Sequence, residues 1–476
     1  MPAQIHYFTL QDETPRKEKL DWFRNNKLSD LEMERIHPDE KGNWLNITDN
    51  DFEDLLPLAS KDVKGNKGGV EFDKAVFKLF SLGVVTNRDE WVYDFDKENL
   101  EKKVKHLIDV YNFDVERLKG RNKDEIRDGV DTSIKWTRAV KNDLSKGKKY
   151  AFDDNLIVEG VYRPFVKKQL YFSKELNEMQ YQMPLIFGEN GIIENNVIAL
   201  NCNDKGFMVC TSNKLLDLHF TGDSQCLPFY RYDETGNRIE NITDWGLDAF
   251  RNHYQTTANP PKGSKPLGGL SLGLSSGLIT KEAIFHYVYA VLHNPAYRKK
   301  YEQNLKRDFP RIPFYDDFEQ WAAWGKALMD LHIAYENAVL FPLNRVERAI
   351  SQGASSDQRQ LFARVEEVEP LYKTEVKIKP KLKADKEVGT IEIDEQITLT
   401  GIPTEAWSYK LGNRSALEWI LDQYKESKPT DPTILEKFNH YRFADYKEEV
   451  IVLLQKVCMV SVETMKIIRA MEALVK

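Results

Sequence analysis

The chain has 476 residues, of which 41% are hydrophobic and 30% charged, and this is ordinary globular usage. At roughly 150 residues per domain the length allows about three domains, and the composition excludes a collagen, a coiled coil or a chain disordered throughout. Lys and Arg number 68 against 75 Asp and Glu, a formal net charge of −7. That balance excludes a protein that coats nucleic acid through overall charge and leaves only local basic patches for such contact.

No apolar run reaches the roughly 18 residues a membrane helix needs. The start, Met1-Pro-Ala-Gln-Ile5, lacks the basic and apolar stretches of a secretory leader. The four cysteines, Cys202, Cys210, Cys226 and Cys458, form no CxxC pair and have no zinc-module spacing. They are expected as free thiols in the reducing cytoplasm, away from membranes.

In chain order, Gln4–Leu10 reads as a strand, and Asp12-Glu-Thr-Pro15 starts a short helix over Arg16–Phe23. Residues 60–69 form a polar, glycine-rich loop, after which Phe72, Val76, Phe77 and Phe80 fall at helical spacing. Glu90–Phe95 alternates as a strand would. Lys97–Leu118 is a strong amphipathic helix with Leu100, Val104, Leu107, Ile108 and Tyr111 on one stripe. Ala151–Tyr232 is a series of short strands: Val161–Phe165, Leu170–Phe172, Asn196–Leu200 and Gly206–Cys210. Gln255–Gly277, rich in Gly, Pro and Ser, reads as a linker or inserted loop.

Thr280 is an N-cap candidate for a helix with Ile284, Val288 and Leu292 on one face, stopped at Asn294-Pro295. The next helix carries Tyr297, Tyr301 and Leu305 on its apolar stripe and Lys299, Gln303 and Lys306 on the opposite face; the tyrosines are expected in the core. Residues 371–401 switch to period two and predict a β-ribbon, and the chain from Ser415 is helical again. The sum is an α+β fold: 1–125 as one part, a strand-rich part over 126–254, a linker or insertion over 255–278, and a helical part over 279–476 containing the ribbon.

Catalytic signatures are missing. GxxxxGK[ST], GxGxxG after a strand and HExxH do not occur, and the GxSxG spacings at 269–273 and 273–277 fall inside the Gly- and Ser-rich segment read as a linker or inserted loop. Asn259-Pro-Pro-Lys262 imitates an Asn-Pro-Pro-aromatic methyltransferase motif. Its fourth residue is a lysine, which cannot stack on a flipped base, and no apolar strand precedes it, so it reads as linker.

Three basic patches are the positive signal. Residues 135–149 hold six Lys and Arg against Asp143; 293–311 hold six against Glu302 and Asp308; 371–386 hold six lysines against Glu375 and Asp385. They are interleaved with Trp136, Tyr162, Tyr297 and Tyr301. Lys and Arg in such runs hold phosphates, and Arg and Asn read base edges. The candidate DNA contacts are Lys146, Lys148 and Lys149; Arg163, Lys167 and Lys168; Arg298, Lys299 and Lys306; and Asn413 and Arg414 after Gly412. For Arg163 a structural ion pair is an equal alternative, and for Asn413 and Arg414 helix capping is the stronger one.

Several strings are highly particular: Ser81-Leu-Gly-Val-Val-Thr-Asn-Arg-Asp-Glu-Trp-Val-Tyr-Asp-Phe95, Tyr162-Arg-Pro-Phe165 with Leu176-Asn-Glu-Met179, Ile284–Tyr297, Leu305–Phe314, Leu411-Gly-Asn-Arg-Ser-Ala-Leu-Glu-Trp419 and Phe443-Ala-Asp-Tyr-Lys447. From about residue 70 onward the chain resembles the C-terminal specificity region of type ISP restriction–modification enzymes. The resemblance implies that 1–125 contains the exit from a methyltransferase core and a connector, and that the rest is a target recognition domain for double-stranded DNA. The family's nuclease, helicase-type motor and adenine N6-methyltransferase signatures are missing from this chain. S-adenosylmethionine, ATP and Mg are therefore expected only in catalytic domains supplied in cis or trans, and no cofactor in this chain. Two other readings stay open at this stage: a divergent methyltransferase with its own activity, and an interaction remnant that no longer binds DNA.

Overall fold

The structure, a computed structural model, describes residues 4–11, 14–38, 44, 50–59, 74–203, 206–233, 235–258, 279–348 and 378–475. Near the N-terminus β1 (Ile5–Tyr7) pairs antiparallel with β2 (Glu34–Ile36), and α1 (Arg16–Asn25) lies between them in sequence. Trp22 of α1 stacks on Phe8 at 5.2 Å. Next come β3 (Leu56–Pro57), β4 (Ser81–Leu82), α2 (Asp89–Val92), β5 (Tyr93–Asp94), α3 (Lys97–Arg117), α4 (Lys123–Gly129) and α5 (Arg138–Ser145).

The helix expected around Val76–Phe80 does not form; Phe72 lies outside the described residues. The backbone N–H groups there donate outward instead: Val76 to Pro57 O, Phe77 to Leu58 O and Lys78 to Asn241 O. Phe77 bridges Ile242, and both are buried. The apolar spacing reflects burial of an extended segment wedged between two others. Glu90–Phe95 is likewise split into the helical turn α2 and the two-residue strand β5. The Glu90 carboxylate accepts N–H bonds from Thr430 and Asp431, which a run of strand would not place there. For α3 the reading holds. Asp96 caps it by accepting from Glu98 N, and the five stripe residues are all buried.

The strand-rich middle comprises β6 (Ile157–Arg163), β7 (Val166–Tyr171), the short helix α6 (Met183–Phe187), β8 (Val197–Leu200), β9 (Val209–Ser212), β10 (Leu215–Leu216), β11 (Gln225–Pro228), β12 (Tyr230–Tyr232) and β13 (Arg238–Glu240). One sheet has the order β10-β6-β7-β5; β6 and β7 form a hairpin closed by Arg163↔Val166, and β10 runs parallel to β6. A second sheet has the order β4-β11-β8-β9. Every residue of β8 and β9 is buried, as expected for strands covered on both faces.

The helix α7 (Asp244–Ala258) runs through Gln255–Ala258, four residues assigned above to the linker. The remainder of that segment, with Asn259–Lys262, lies outside the described residues. Then follow α8 (Lys281–His293), α9 (Pro295–Lys300), α10 (Glu302–Leu305), β14 (Arg311–Ile312), α11 (Phe318–Ile333) and β15 (Asn344–Glu347). Thr280 caps α8, accepting from Ala283 N at 3.1 Å, and Asn294 ends it while its side chain caps α9. Rather than showing one apolar face, α8 is buried all round from Ile284 to His293, as the central helix of a core. Tyr297, Tyr301 and Leu305 are core residues, as expected.

The ribbon is larger than the sequence pattern suggested. Strands β16 (Pro380–Asp385), β17 (Thr390–Asp394) and β18 (Ile397–Thr400) are joined by β15 in the order β15-β18-β17-β16; residues 371–377 lie outside the described residues. The edge strand β16 breaks register between Pro380 and Lys383, and within the break the buried Leu382 adopts φ +44°. The chain closes with α12 (Thr404–Ser408), β19 (Lys410–Leu411), β20 (Arg414–Ser415), α13 (Ala416–Gln423) and the 33-residue α14 (Phe443–Val475). Ser415 and Glu418 form a reciprocal capping box at α13. The molecule is α+β.

Two hydrophobic cores are interleaved along the chain. One gathers residues from 84–226 and 335–460, the other residues from 52–80, 198–329 and Met471. In the second, α8 and α11 cross so closely that a Cβ on Gly325 would lie 1.7 Å from His286 O. Alanine normally stabilises a helix interior over glycine by about 1 kcal/mol. Here Gly325→Ala is expected to lower stability by about 1–3 kcal/mol or more, read as a fall in the denaturation midpoint.

At the seam between the cores, buried His332 of α11 meets the Tyr289 hydroxyl (2.6 Å, Nδ1) and the Thr464 hydroxyl (2.9 Å, Nε2). Burial pushes this imidazole down to about 3, whereas the unfolded chain takes up the proton near 6.5. The unfolded state therefore binds more protons between those values. Acidification from pH 7 to pH 5 is expected to cost about 2 kcal/mol through this residue. Melting temperatures of the wild type and His332→Gln across that range check it, with the flatter profile expected for the variant.

Candidate nucleic-acid interface

The candidate cations fall in four places. Lys146, Lys148 and Lys149 lie just past the end of α5, all exposed. Lys146 forms the C-cap. Lys148 pairs with Asp143 at 3.4 Å and Glu175 at 3.2 Å, and Lys149 pairs with Glu116 at 2.6 Å. The Lys149–Glu116 pair is solvent-exposed, so a phosphate can replace it at little cost, whereas the acids that engage Lys148 are half-buried. Lys135 and Arg138, at the start of the same helix, are also exposed.

Arg163, Lys167 and Lys168 sit together on the β6–β7 hairpin, and each has internal partners. Arg163 makes a 2.6 Å ion pair with Asp217, the two side chains 14% and 3% exposed, and lies over the Tyr162 ring. Burial holds the Asp217 carboxyl above the usual carboxylate range against the opposing pull of Arg163. Lys167 bridges Glu159 at 3.1 Å and Glu336 at 2.5 Å. Lys168 is enclosed between the Tyr162 and Phe95 rings, 4.0 and 4.7 Å from its Nζ, and burial, then nearby Arg163, brings it down to about 8. The sequence alone did not single out the acids of this network, Asp89 and Asp217. Asp89 accepts from the Tyr162 hydroxyl at 3.0 Å. One residue before it, the buried Arg88 donates to the Thr137 hydroxyl at the start of α5. The turn at 86–89 thus joins the hairpin to the basic helix.

The other two groups lie elsewhere. Arg298 donates to Leu292 O at 2.6 Å and faces the Phe207 ring, Lys299 is exposed, and Lys306 pairs with Glu302 at 3.2 Å. Asn413 is exposed in the two-residue turn between β19 and β20, beside Gly412 with φ +66°. Arg414 pairs with Asp422 at 3.1 Å and covers the Trp419 ring. Of the third basic run, Lys381 pairs with Glu392 and Lys386 with Glu418, while Lys383 is exposed. Lys373 and Lys377 lie outside the described residues. Among the described residues, no group of His, Cys, Asp and Glu is placed to hold a metal ion, and no helix is long and apolar enough to cross a membrane.

The exposed cations stand on an α+β scaffold that matches a known family. The match is specific: the model of the Type ISP C-terminal specificity domain covers residues 75–453, and the chain belongs to that family. No curated protein matches it. Among solved structures, it is similar to DrdV in a cryoEM complex with DNA, at 44% identity and TM-score 0.76, over 95% of this chain and 42% of that one. It is also similar to a nuclease-deletion mutant of the Type ISP restriction–modification enzyme LlaGI with a DNA substrate mimic (28% identity, TM-score 0.68, 98% of this chain and 39% of that one). A third is the ATP-dependent Type ISP enzyme LlaBIII bound to DNA (27% identity, TM-score 0.66, 92% and 25%). The chain spans less than half the length of each of these proteins.

The Arg163–Asp217 pair gives a direct test of what the hairpin arginine holds. Arg163→Ala leaves a buried carboxylate unpaired and is expected to cost about 3–5 kcal/mol of stability. Adding Asp217→Asn is expected to restore part of it, in chemical denaturation of the single and double variants.

Proposed function

We propose that this chain is the DNA-reading part of a Type ISP restriction–modification system. It selects a short sequence in double-stranded DNA. An adenine N6-methyltransferase, a motor and a nuclease, in cis or in trans, do the chemistry with S-adenosylmethionine, ATP and Mg. The observation that carries this reading is family membership over residues 75–453, joined to likeness across most of the chain to enzymes held on DNA. The cytoplasm is the compartment in which such a module would act.

The physics agrees with that division of labour. A recognition module needs cations that hold phosphates in register and a few side chains that discriminate bases, each good bidentate contact being worth about 1–3 kcal/mol. Lys146, Lys148 and Lys149, with Lys135 and Arg138, are the exposed phosphate-holding group. Lys299 and Asn413 are exposed contacts at other places on the surface. Arg163, Lys167, Lys168, Arg298, Lys306 and Arg414 already have internal partners, so a role for them at the DNA requires exchanging those partners.

The test is selection from a randomised duplex library by the chain together with its catalytic half. A single enriched motif is expected, and failure to enrich any motif overturns the reading. Reversing Lys146, Lys148 and Lys149 to Glu is expected to weaken binding to all sequences alike. It should also flatten the dependence of log affinity on log salt by about one per lost phosphate contact.

A further inference from the structure

Between β7 and α6 the chain makes a short excursion that is pinned at each side. Asn177 is buried, its N–H donating to Ser173 O at 2.8 Å and its side chain to Tyr171 O at 3.1 Å. Met179 exchanges both backbone hydrogen bonds with Val85, at 2.9 and 3.0 Å. The Gln182 N–H donates to the Ser81 hydroxyl at 3.1 Å, and Met183, Ile186 and Phe187 then anchor α6 in the core. Between these pins two large side chains face solvent, Met179 at 47% and Tyr181 at 38% exposure. Tyr181 also holds φ +47°, a conformation that costs a residue with a Cβ of order 1–3 kcal/mol. Single exposed apolar residues are common. Here two flank one residue on a backbone held in place, and one of them is kept in a strained state.

The nearby charges are mixed, and the excursion itself carries Glu178 directly before Met179. Glu175, two residues before Asn177, accepts from Lys148 and so ties the excursion to the basic loop after α5. Lys174 beside it is exposed. Val85, the backbone partner of Met179, is followed directly by the turn whose Arg88 reaches Thr137 at the start of α5. The apolar pair thus stands in the same excursion as exposed Lys174 and the glutamate that engages Lys148.

We propose that Met179 and Tyr181 form the apolar part of the base-reading surface, in contact with the 5-methyl group of a thymine in the major groove while the neighbouring lysines hold the flanking phosphates. That methyl is the apolar group that base pairs present there. The proposal rests on the DNA-reading function above and adds to it the residues and the base.

Replacing the thymines of the selected motif one at a time by deoxyuridine removes only the methyl group. With the full chain and its catalytic half, one such position is expected to cost the wild type about fourfold in affinity, the worth of one buried methyl. Met179→Ala with Tyr181→Ala should bind thymine and deoxyuridine there alike and keep its affinity for unrelated duplexes. Met179→Leu, which preserves an apolar contact, should retain the sensitivity, and unchanged melting temperatures establish that the variants are folded. A motif with no A·T pair, a wild type indifferent to every deoxyuridine, or an undiminished penalty in the double variant overturns the proposal and leaves the DNA-reading function standing. So does a double variant that loses its catalytic half but keeps the base preference, because it marks the pair as a protein interface. A wild type that enriches no motif removes the underlying function as well.

Discussion

The two cores of this protein meet across β8, whose Val197 and Ala199 enter one and Ile198 and Leu200 the other, and at a buried imidazole. His332, at the end of α11, meets α8 through Tyr289 and α14 through Thr464, and its ring stacks on Tyr409 at 5.2 Å. Each ring nitrogen has a hydroxyl partner, so the neutral side chain is satisfied without water. Gly325, two turns earlier on α11, lets that helix lie against the backbone of α8. Around this junction the chain folds in an interleaved way: the segment 74–85 is held by residues as distant as Leu216, Ser224 and Asn241, and α14 carries Met471 into the second core while most of its buried residues belong to the first. Surface loops from distant parts of the sequence are thereby set on one interleaved body.

Local signals were legible wherever one element decides its own form. The long stripe of α3, the threonine cap of α8 and the Asn-Pro stop before α9 all appear as the sequence predicts. Misreadings occurred where tertiary pairing overrides spacing. Val76, Phe77 and Phe80 have a helical period, but their backbone bonds are claimed by residues around 57 and 241. The ribbon acquired a fourth strand from Asn344–Glu347, exposed throughout and therefore without an apolar alternation to announce it.

The candidate interface was legible as charge and only partly as geometry. A run of lysines is visible in sequence; the acids that engage them are not. Arg163 meets Asp217 across 54 positions, and Lys167 meets Glu336 across 169. Counting charges along the chain therefore cannot separate cations turned outward from those bound within the fold. Lys149 after α5 carries only a weak, screened pair, whereas Arg163 lies over the Tyr162 ring and Lys168 between two rings. Met179 and Tyr181 gave no charge signal at all. What marks them is a held backbone and one left-handed dihedral, which spacing does not encode.

The broken register at Leu382 bears on how this protein lives among copies of itself. A sheet that ends in an open strand offers its free N–H and C=O groups to any passing chain. Here the outermost strand is kinked by its bulge, turns one leucine inward at φ +44°, and carries exposed Lys381 and Lys383 on the remaining face. A second copy approaching that border would meet like charge and a misaligned ladder. The irregularity leaves that border without a ready template for pairing with a second copy.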